Sequence, residues 1–411
     1  MDLNESQRQA VAHNGSHLLI AAGPGTGKTL TLTHRIAYLV STLESSQRIL
    51  AITFTNKAAR QMKDGLRALG VDLSQVFVGT FHSFCLKLLR DYFEHTALPK
   101  DFKVAAEEDI GVFDKKVHKR ISFLKSSQLV IIPDEEYKTY QRYLRQNSLI
   151  DFDDILCEAL LLLEDENIAA QLRRQYPYIL VDEYQDSNIV QNALLKILAR
   201  EGVLLTVAGD VNQSIDSSRG SRVDLIKRFG EDFSPSWVMT LPDNYRSAPS
   251  RVIYQAATDW AEADYVAHEI EKYNLRDVAI LYRLDAQRYI LCQVLEHLKI
   301  SYQVAQKPKK QEIYSDEDAL GQNEETMECH VEKVSLMSLQ AAKGLEFPVV
   351  FIIGFEDHLL PLDLTGVKLD LKEEQRLFYV GMTRAKEKLY LTFIKRRLPK
   401  KDQDDLQMKL F

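Results

Sequence analysis

Apolar, β-branched runs alternate with stretches of helical periodicity from the start of the chain: "HLLIAA" before "TLTLTHRIAYLV", "ILAITF" before "NKAARQMKDGLRAL", and "VFVGTF" before "HSFCLKLLRDYF". Strand-length runs each followed by an amphipathic helix predict a doubly wound, parallel α/β sheet. Between about 94 and 150 charged helical segments interrupt the rhythm, which resumes with "YILVDE" and "VLLTVAGD". A small helical insertion in the first sheet is expected there. After Pro249 a second set follows, "DVAILYR", "YILCQVLEHLKI", "VSLMSL", "VVFIIGF" and "KLYLTF", which predicts a second, similar sheet. Within it, "QKPKKQEIYSDEDALGQNEETMECH" is polar and weakly periodic, a linker or exposed hairpin.

Composition sharpens this reading. A chain of 411 residues exceeds one ordinary core, so two or three domains are expected. With 45% hydrophobic and 27% charged residues it has the composition of a globular protein. The longest apolar runs fall short of a membrane span and "MDLNESQRQ" lacks the features of a signal peptide, so a cytoplasmic protein without membrane contact is expected. Cys85, Cys157, Cys292 and Cys329 are isolated, which points to buried thiols and away from a disulfide framework or zinc site. A net charge of −7 argues against indiscriminate nucleic-acid binding but leaves room for a basic groove.

The chemistry starts at "AAGPGTGKT", between a strand and a helix. In the loop Ala22, Gly23, Pro24, Gly25, Thr26 and Gly27, the glycines let backbone N–H groups wrap around phosphates. Lys28 can reach the β and γ phosphates, and the Thr29 hydroxyl can ligate Mg²⁺. The metal's carboxylate is expected from "YILVDEYQD". There Asp182 would hold Mg²⁺ through water, and Glu183, turned elsewhere by strand alternation, would deprotonate the attacking water. "DFDD" at 151–154 and "PDEEYK" at 133–138 read as helix starts and surface acids, not as metal or nuclease sites.

Taken in order, "LNESQRQAV", "AGPGTGKT", "ITFTNKAARQM", "GTFHSFC", "DFDDIL", "ILVDEYQD", "GDVNQSI", "LPDNYRS", "LQAAKGLEF" and "RLFYVGMTRAKEKLYL" resemble the motifs of the UvrD, Rep and PcrA family of superfamily 1 DNA helicases. The resemblance implies two RecA-like P-loop NTPase domains with parallel sheets, ATP between them and single-stranded DNA across their top. It further implies that Gln7 reads adenine, Tyr245 stacks on it and Glu346 lies near the ribose. Gln213 would sense the γ-phosphate, and Arg246 and Arg384 would reach it from the second domain. Cations that arrive on closure stabilise transition-state charge and couple hydrolysis to movement. Leu30 stands where relatives often place an arginine beside the base, and Gln340 where histidine is common.

For DNA, the resemblance implies contacts from Phe54, Thr55, Asn56, Thr80, Phe81, His82, Arg219 and Ser338. Core packing and helix capping are the bland alternatives for the phenylalanines and the polar residues. In "GDVNQSIDSSRGS", Asp216 and Ser218 replace the tyrosine and tryptophan on which relatives stack bases. Losing two such platforms, at about 1–3 kcal/mol per base, predicts a weak grip on bare single strands.

The expected division is 1–93 and 151–247 for the first RecA-like domain, with the insertion at 94–150. The second domain takes 248–302 and 331–397, with a short connector at 303–330 replacing the family's large fourth subdomain, and a tail at 398–411. In that tail Gln407, Met408, Leu410 and Phe411 resemble the peptide that docks bacterial enzymes onto the sliding clamp. The leading expectation is an ATP- and Mg²⁺-dependent DNA helicase or translocase, moving 3′ to 5′ in DNA repair, replication or mobile-element defence. The alternatives are a DNA-stimulated ATPase subunit that licenses a partner nuclease in anti-phage defence, or a nucleotide-switched, clamp-bound recruitment module.

Overall fold

The computed structural model describes residues 3–215, 220–245, 249–305, 332–356, 359–362 and 370–394. Asp216, Ser218, Arg219, Arg246, most of the connector and the whole QMKLF peptide lie outside them. The described residues divide into two compact units, one ending at Tyr245 and one comprising the residues after it.

The first unit carries strands β1 (His17–Ala22), β2 (Ile49–Thr53), β3 (Val76–Thr80), β4 (Lys103–Val104), β5 (Leu149–Ile150), β6 (Tyr178–Val181), β7 (Leu204–Gly209) and β8 (Ser236–Leu241). Six of them form one sheet in the order β3-β2-β6-β7-β1-β8. Neighbouring strands in it run parallel, with Leu18 of β1 beside Thr206 of β7 and Trp237 of β8.

Side chains along a strand alternate between faces, and here both faces are covered. Leu19, Leu50, Ile52, Ile179, Val181, Leu205 and Val207 pack into one buried cluster, whereas Leu18, Ile20, Ile49, Ala51, Leu180 and Ala208 pack into another. That is why the strands read as unbroken apolar runs. The helix Lys28–Val40 covers the second face with Leu32, Ile36 and Leu39, and the helix Phe81–Asp91 covers the first with Phe84, Cys85 and Leu88.

Between β3 and β6 the chain forms the short β4-β5 pair and the helices Lys115–Ser127 and Glu135–Gln146, around a small cluster of Ile121, Tyr140, Leu144 and Leu149. "DFDD" and "PDEEYK" do start helices. Asp151 caps Phe152–Leu162 in a reciprocal box with Asp154, and Asp134 caps Glu135–Gln146.

The second unit holds β9 (Ser250–Ala256), β10 (Val278–Tyr282), β11 (Tyr302–Val304), β12 (Val334–Ser338), β13 (Phe347–Ile352) and β14 (Ala385–Ile394). They form a parallel sheet in the order β11-β12-β10-β13-β14-β9. β10 is buried along its whole length, at the centre of a cluster with Leu336, Val349 and Phe351. Cys85 is buried, while Cys157 and Cys292 are half-buried and Cys329 is outside the described residues. Among the described residues no helix is long and apolar enough to cross a membrane.

Candidate active site

In a parallel sheet, ligand-binding loops gather beyond the carboxyl ends of the strands. β6, β7 and β1 are neighbours, so the acids after β6, the loop after β7 and the glycine loop after β1 meet at one edge.

The glycine loop turns through Gly25 and Gly27, whose φ values of 75° and 80° lie in the left-handed region that glycine tolerates. Gly27 precedes the helix Lys28–Val40. A Cβ on Gly27 would come 2.7 Å from Nε2 of Gln7, so backbone and glutamine approach closely. Nε2 of Gln7 donates to the Thr26 carbonyl at 3.0 Å, and the Thr26 hydroxyl donates to the Gly23 carbonyl at 2.8 Å. Nζ of Lys28 donates to the Ala22 carbonyl at 3.1 Å, where strand gives way to loop.

Asn4 organises the adenine-side candidates. Its side-chain oxygen accepts the Gln7 N–H at 2.7 Å, and its own N–H donates to Oε1 of Gln7 at 3.0 Å, a capping box for the helix Glu5–Ala12. Its amide nitrogen donates to the Tyr245 hydroxyl at 2.6 Å and to Asp243 at 2.8 Å. The Tyr245 N–H donates to the Gly25 carbonyl at 2.9 Å, and the residue is 58% exposed. Gln7 and Tyr245 are therefore both tethered to the glycine loop. Arg35, wholly buried, donates to the carbonyls of Ala10, Val11 and His13 and closes the other end of that first helix.

The metal candidates meet directly. Oγ1 of Thr29 donates to Oδ2 of Asp182 at 2.8 Å. Burial, and then the neighbouring Glu183 carboxylate, push the Asp182 carboxyl up to about 6, against the Thr29 hydrogen bond and Lys28. Two hard oxygens side by side, one on a carboxylate that burial makes costly to ionise, form a donor set that suits Mg²⁺.

Glu183 differs from the sequence expectation in its cause. β6 ends at Val181, so strand alternation does not aim this side chain; Glu183 sits in the left-handed region at φ 52°. Its N–H donates to Oδ1 of Asp182 at 2.9 Å, and its Oε2 accepts from Nε2 of Gln185 at 2.6 Å. Gln213, on the short turn after β7, donates to Oδ2 of Asp210 at 2.8 Å.

In the second unit, Arg384 follows the helix Leu371–Met382. It donates from Nε to the Val380 carbonyl, from Nη1 to the Leu345 carbonyl and from Nη2 to the Thr383 hydroxyl. Glu346 is exposed just before β13, with Lys386 at 3.5 Å.

The strand-contact candidates of the first unit lie beyond adjacent strands β2 and β3. Thr55 and Thr80 cap the helices Asn56–Ala68 and Phe81–Asp91, and Phe81 is buried in the core. Phe54 and Asn56 are half-buried. The His82 ring stacks on Phe152 at 3.7 Å, and burial depresses it to about 3, so it is neutral near pH 7. Ser338 ends β12 and its Oγ accepts the Ala341 N–H at 3.2 Å.

Asn4, Arg35, Gln185 and Lys125 carry structure around these candidates without having been singled out in the sequence. The pattern Asn4-x-x-Gln7 was a visible capping signal. For the other three the contacts come from segments remote in sequence or in neighbouring turns, and no local pattern announces them.

Comparison with known proteins agrees with the motifs. Residues 3–132 and 132–234 match the UvrD/REP helicase N-terminal domain, and residues 309–396 match the UvrD-like helicase C-terminal domain. The chain is similar to ATP-dependent DNA helicase PcrA of Staphylococcus aureus, with 27% identity over 614 aligned positions that cover 96% of this chain and 84% of that protein. It is also similar to ATP-dependent DNA helicase PcrA of Staphylococcus epidermidis, with 34% identity over 370 positions covering 73% of this chain and 50% of that protein. With two parallel α/β units and an N-terminal family match spanning more than half of its residues, the chain belongs to the UvrD/REP helicase family of ATP-hydrolysing DNA helicases.

Proposed function

We propose that this chain couples Mg²⁺-dependent ATP hydrolysis to 3′ to 5′ movement along single-stranded DNA, with strand separation at a partly duplex substrate. The 2.8 Å bond between Thr29 and Asp182, beside Lys28 and Glu183, carries the reading. In this proposal Thr29 and Asp182 hold the cation, which screens phosphate charge when bound. Lys28 and the N–H groups of residues 22–27 bind the phosphates. Glu183 takes the proton of the attacking water, Gln213 responds to the γ-phosphate, and Arg246 and Arg384 supply positive charge to the transition state. Gln7, Tyr245 and Glu346 hold the nucleoside.

Phe54, Thr55, Asn56, Thr80, His82, Arg219 and Ser338 contact the strand in the same proposal, with Phe81, buried in the core, packed behind them. The hydroxyls of Thr55 and Thr80 already cap helices, and a neutral His82 adds no cationic contact to phosphate. Together with Asp216 and Ser218 in place of stacking rings, these features favour a weak grip and support a second reading. In that reading the chain is a DNA-stimulated ATPase that senses strands and licenses a partner nuclease. We also propose a compact domain plan, with residues 303–330 as a short connector in place of a large subdomain. The alignment to the Staphylococcus aureus relative supports it, being 614 positions long against 411 residues here. Docking to a sliding clamp through Gln407, Met408, Leu410 and Phe411 is the corresponding partner proposal.

Strand displacement separates the readings. A motor unwinds a duplex bearing a 3′ single-stranded tail in the presence of ATP and leaves one with a 5′ tail intact. ATP hydrolysis that rises with DNA while neither duplex is unwound favours the sensor. Unwinding of the 5′-tailed duplex alone reverses the proposed direction.

A further inference from the structure

We propose that Gln185 is a positioning residue that holds Glu183 and Gln213 in one hydrogen-bonded relay, so that the base and the phosphate sensor move together. The proposal rests on the reading of Glu183 as the base and Gln213 as the sensor.

Gln185 is completely buried, in the short turn Tyr184–Asp186 that follows the acidic pair. Its Nε2 donates to Oε2 of Glu183 at 2.6 Å and lies 3.3 Å from Oδ2 of Asp186. Its Oε1 accepts the N–H of Asp210 at 3.0 Å, and its main-chain carbonyl accepts the Ser214 hydroxyl at 3.1 Å. Asp210 in turn accepts from Nε2 of Gln213 at 2.8 Å and from the Asn212 N–H at 2.9 Å. The path from Glu183 to Gln213 therefore runs through one amide and one aspartate.

Chemistry fixes the orientation of that amide. Turned over, its NH₂ group would face the Asp210 N–H and its oxygen would face two carboxylates, so only the present arrangement satisfies every group. Glutamate at this position would keep the acceptor for Asp210 but set a third carboxylate against Glu183. The end of β7 is shaped to the same contact: a Cβ on Gly209 would lie 2.7 Å from Oε1 of Gln185 and 2.9 Å from Ile226. Glu183 needs such a hold, because its left-handed backbone takes the side chain out of register with β6. The relay enters the turn Val211–Gln213, three residues before Asp216.

The test uses the full chain, ATP and saturating oligo-dT, and measures kcat and KM for ATP together with the melting temperature. The variants are Gln185→Met, which keeps length and loses both polar ends, Gln185→Glu, Gln213→Ala, Glu183→Gln, and the double variant of Gln185→Met with Gln213→Ala. Both Gln185 variants are expected to lower kcat about 10- to 100-fold with KM changed less than about 2-fold. The double variant is expected to be no slower than the slower single, as for residues that act as one unit. Unchanged kcat in a folded Gln185 variant overturns the relay, as does a double variant whose losses multiply. A loss of kcat that is fully accounted for by a smaller folded fraction at the assay temperature, read from the melting curve, assigns Gln185 to folding alone, which also overturns it. Should Gln185→Met fail to fold, the near-isosteric Gln185→Glu decides between the same outcomes. Glu183→Gln separates the levels: activity retained there removes the base reading and the relay with it, whereas activity lost there with Gln185→Met unaffected removes only the relay.

Discussion

Asn4 serves two structures with one side chain, since its oxygen caps the first helix while its nitrogen holds the Tyr245 hydroxyl. Asn4→Ala is expected to cost about 1 kcal/mol of stability from the lost cap. If Asn4 also positions the tyrosine for nucleotide, KM for ATP rises roughly 3-fold or more. Melting and steady-state kinetics read the two effects separately, and a lowered melting temperature with unchanged KM would confine Asn4 to capping. Asp153 offers a pH readout. Burial, then the neighbouring Asp151, push its carboxyl up to about 7. The folded state therefore binds its proton more tightly than the unfolded chain, and its contribution to stability is present below about pH 4 and lost as pH rises towards 7. Asp153→Asn removes that loss, so relative to wild type it is expected to gain stability between pH 5 and pH 8 in urea titrations. An equal difference at both pH values would contradict the assignment. The turn of the glycine loop was legible because its signal is local; the Asn4-x-x-Gln7 box is equally local, but its capping contact came only with the structure. Gln185 was not legible, because its role depends on β6 and β7 being neighbours, and nothing within "DEYQD" specifies that.

At the scale of elements, the inserted helices join the first unit through a buried lysine. Nζ of Lys125, on the helix Lys115–Ser127, lies 2.6 Å from Asp151 and 2.7 Å from Asp154 at the start of the helix Phe152–Leu162. Tyr140 and Gln141 of the helix Glu135–Gln146 donate to the same two carboxylates. Three helices thus share one charge cluster. Lys125→Met leaves the carboxylates without their counter-charge and is expected to cost about 3–5 kcal/mol, whereas adding Asp151→Asn and Asp154→Asn to it recovers much of that loss. Chemical denaturation of the single and triple variants checks this, and a triple variant no more stable than the single would contradict it. The "DFDD" acids were legible as a helix start, but their lysine was not, since it comes from another helix 26 residues earlier in the chain. The buried strands were legible as apolar runs. β8 and β9 lie at sheet edges with much of their side-chain surface exposed, and their short apolar stretches, Trp237 to Met239 and Val252 to Tyr254, do not by themselves announce strands.

For the whole molecule, the two parallel sheets follow from the alternation of apolar runs and amphipathic helices, and the family follows from the order of the motifs. The grip on DNA is where this chain departs in sequence from the stacking residues the resemblance leads one to expect. Asp216→Tyr with Ser218→Trp is expected to tighten single-strand binding roughly ten-fold or more, given about 1–3 kcal/mol per stacked base. Fluorescence anisotropy with a labelled oligonucleotide measures it, and unchanged affinity would mean that this loop does not limit binding. The central claim, that this is a DNA-coupled ATPase whose base is Glu183, is tested most directly by ATP hydrolysis of wild type and Glu183→Gln, with and without saturating single-stranded DNA. Wild-type turnover is expected to rise on DNA addition, and the variant to lose about 10²-fold or more in both conditions while still binding ATP. A wild type that DNA does not stimulate, or a variant that hydrolyses ATP as fast as wild type, would contradict it.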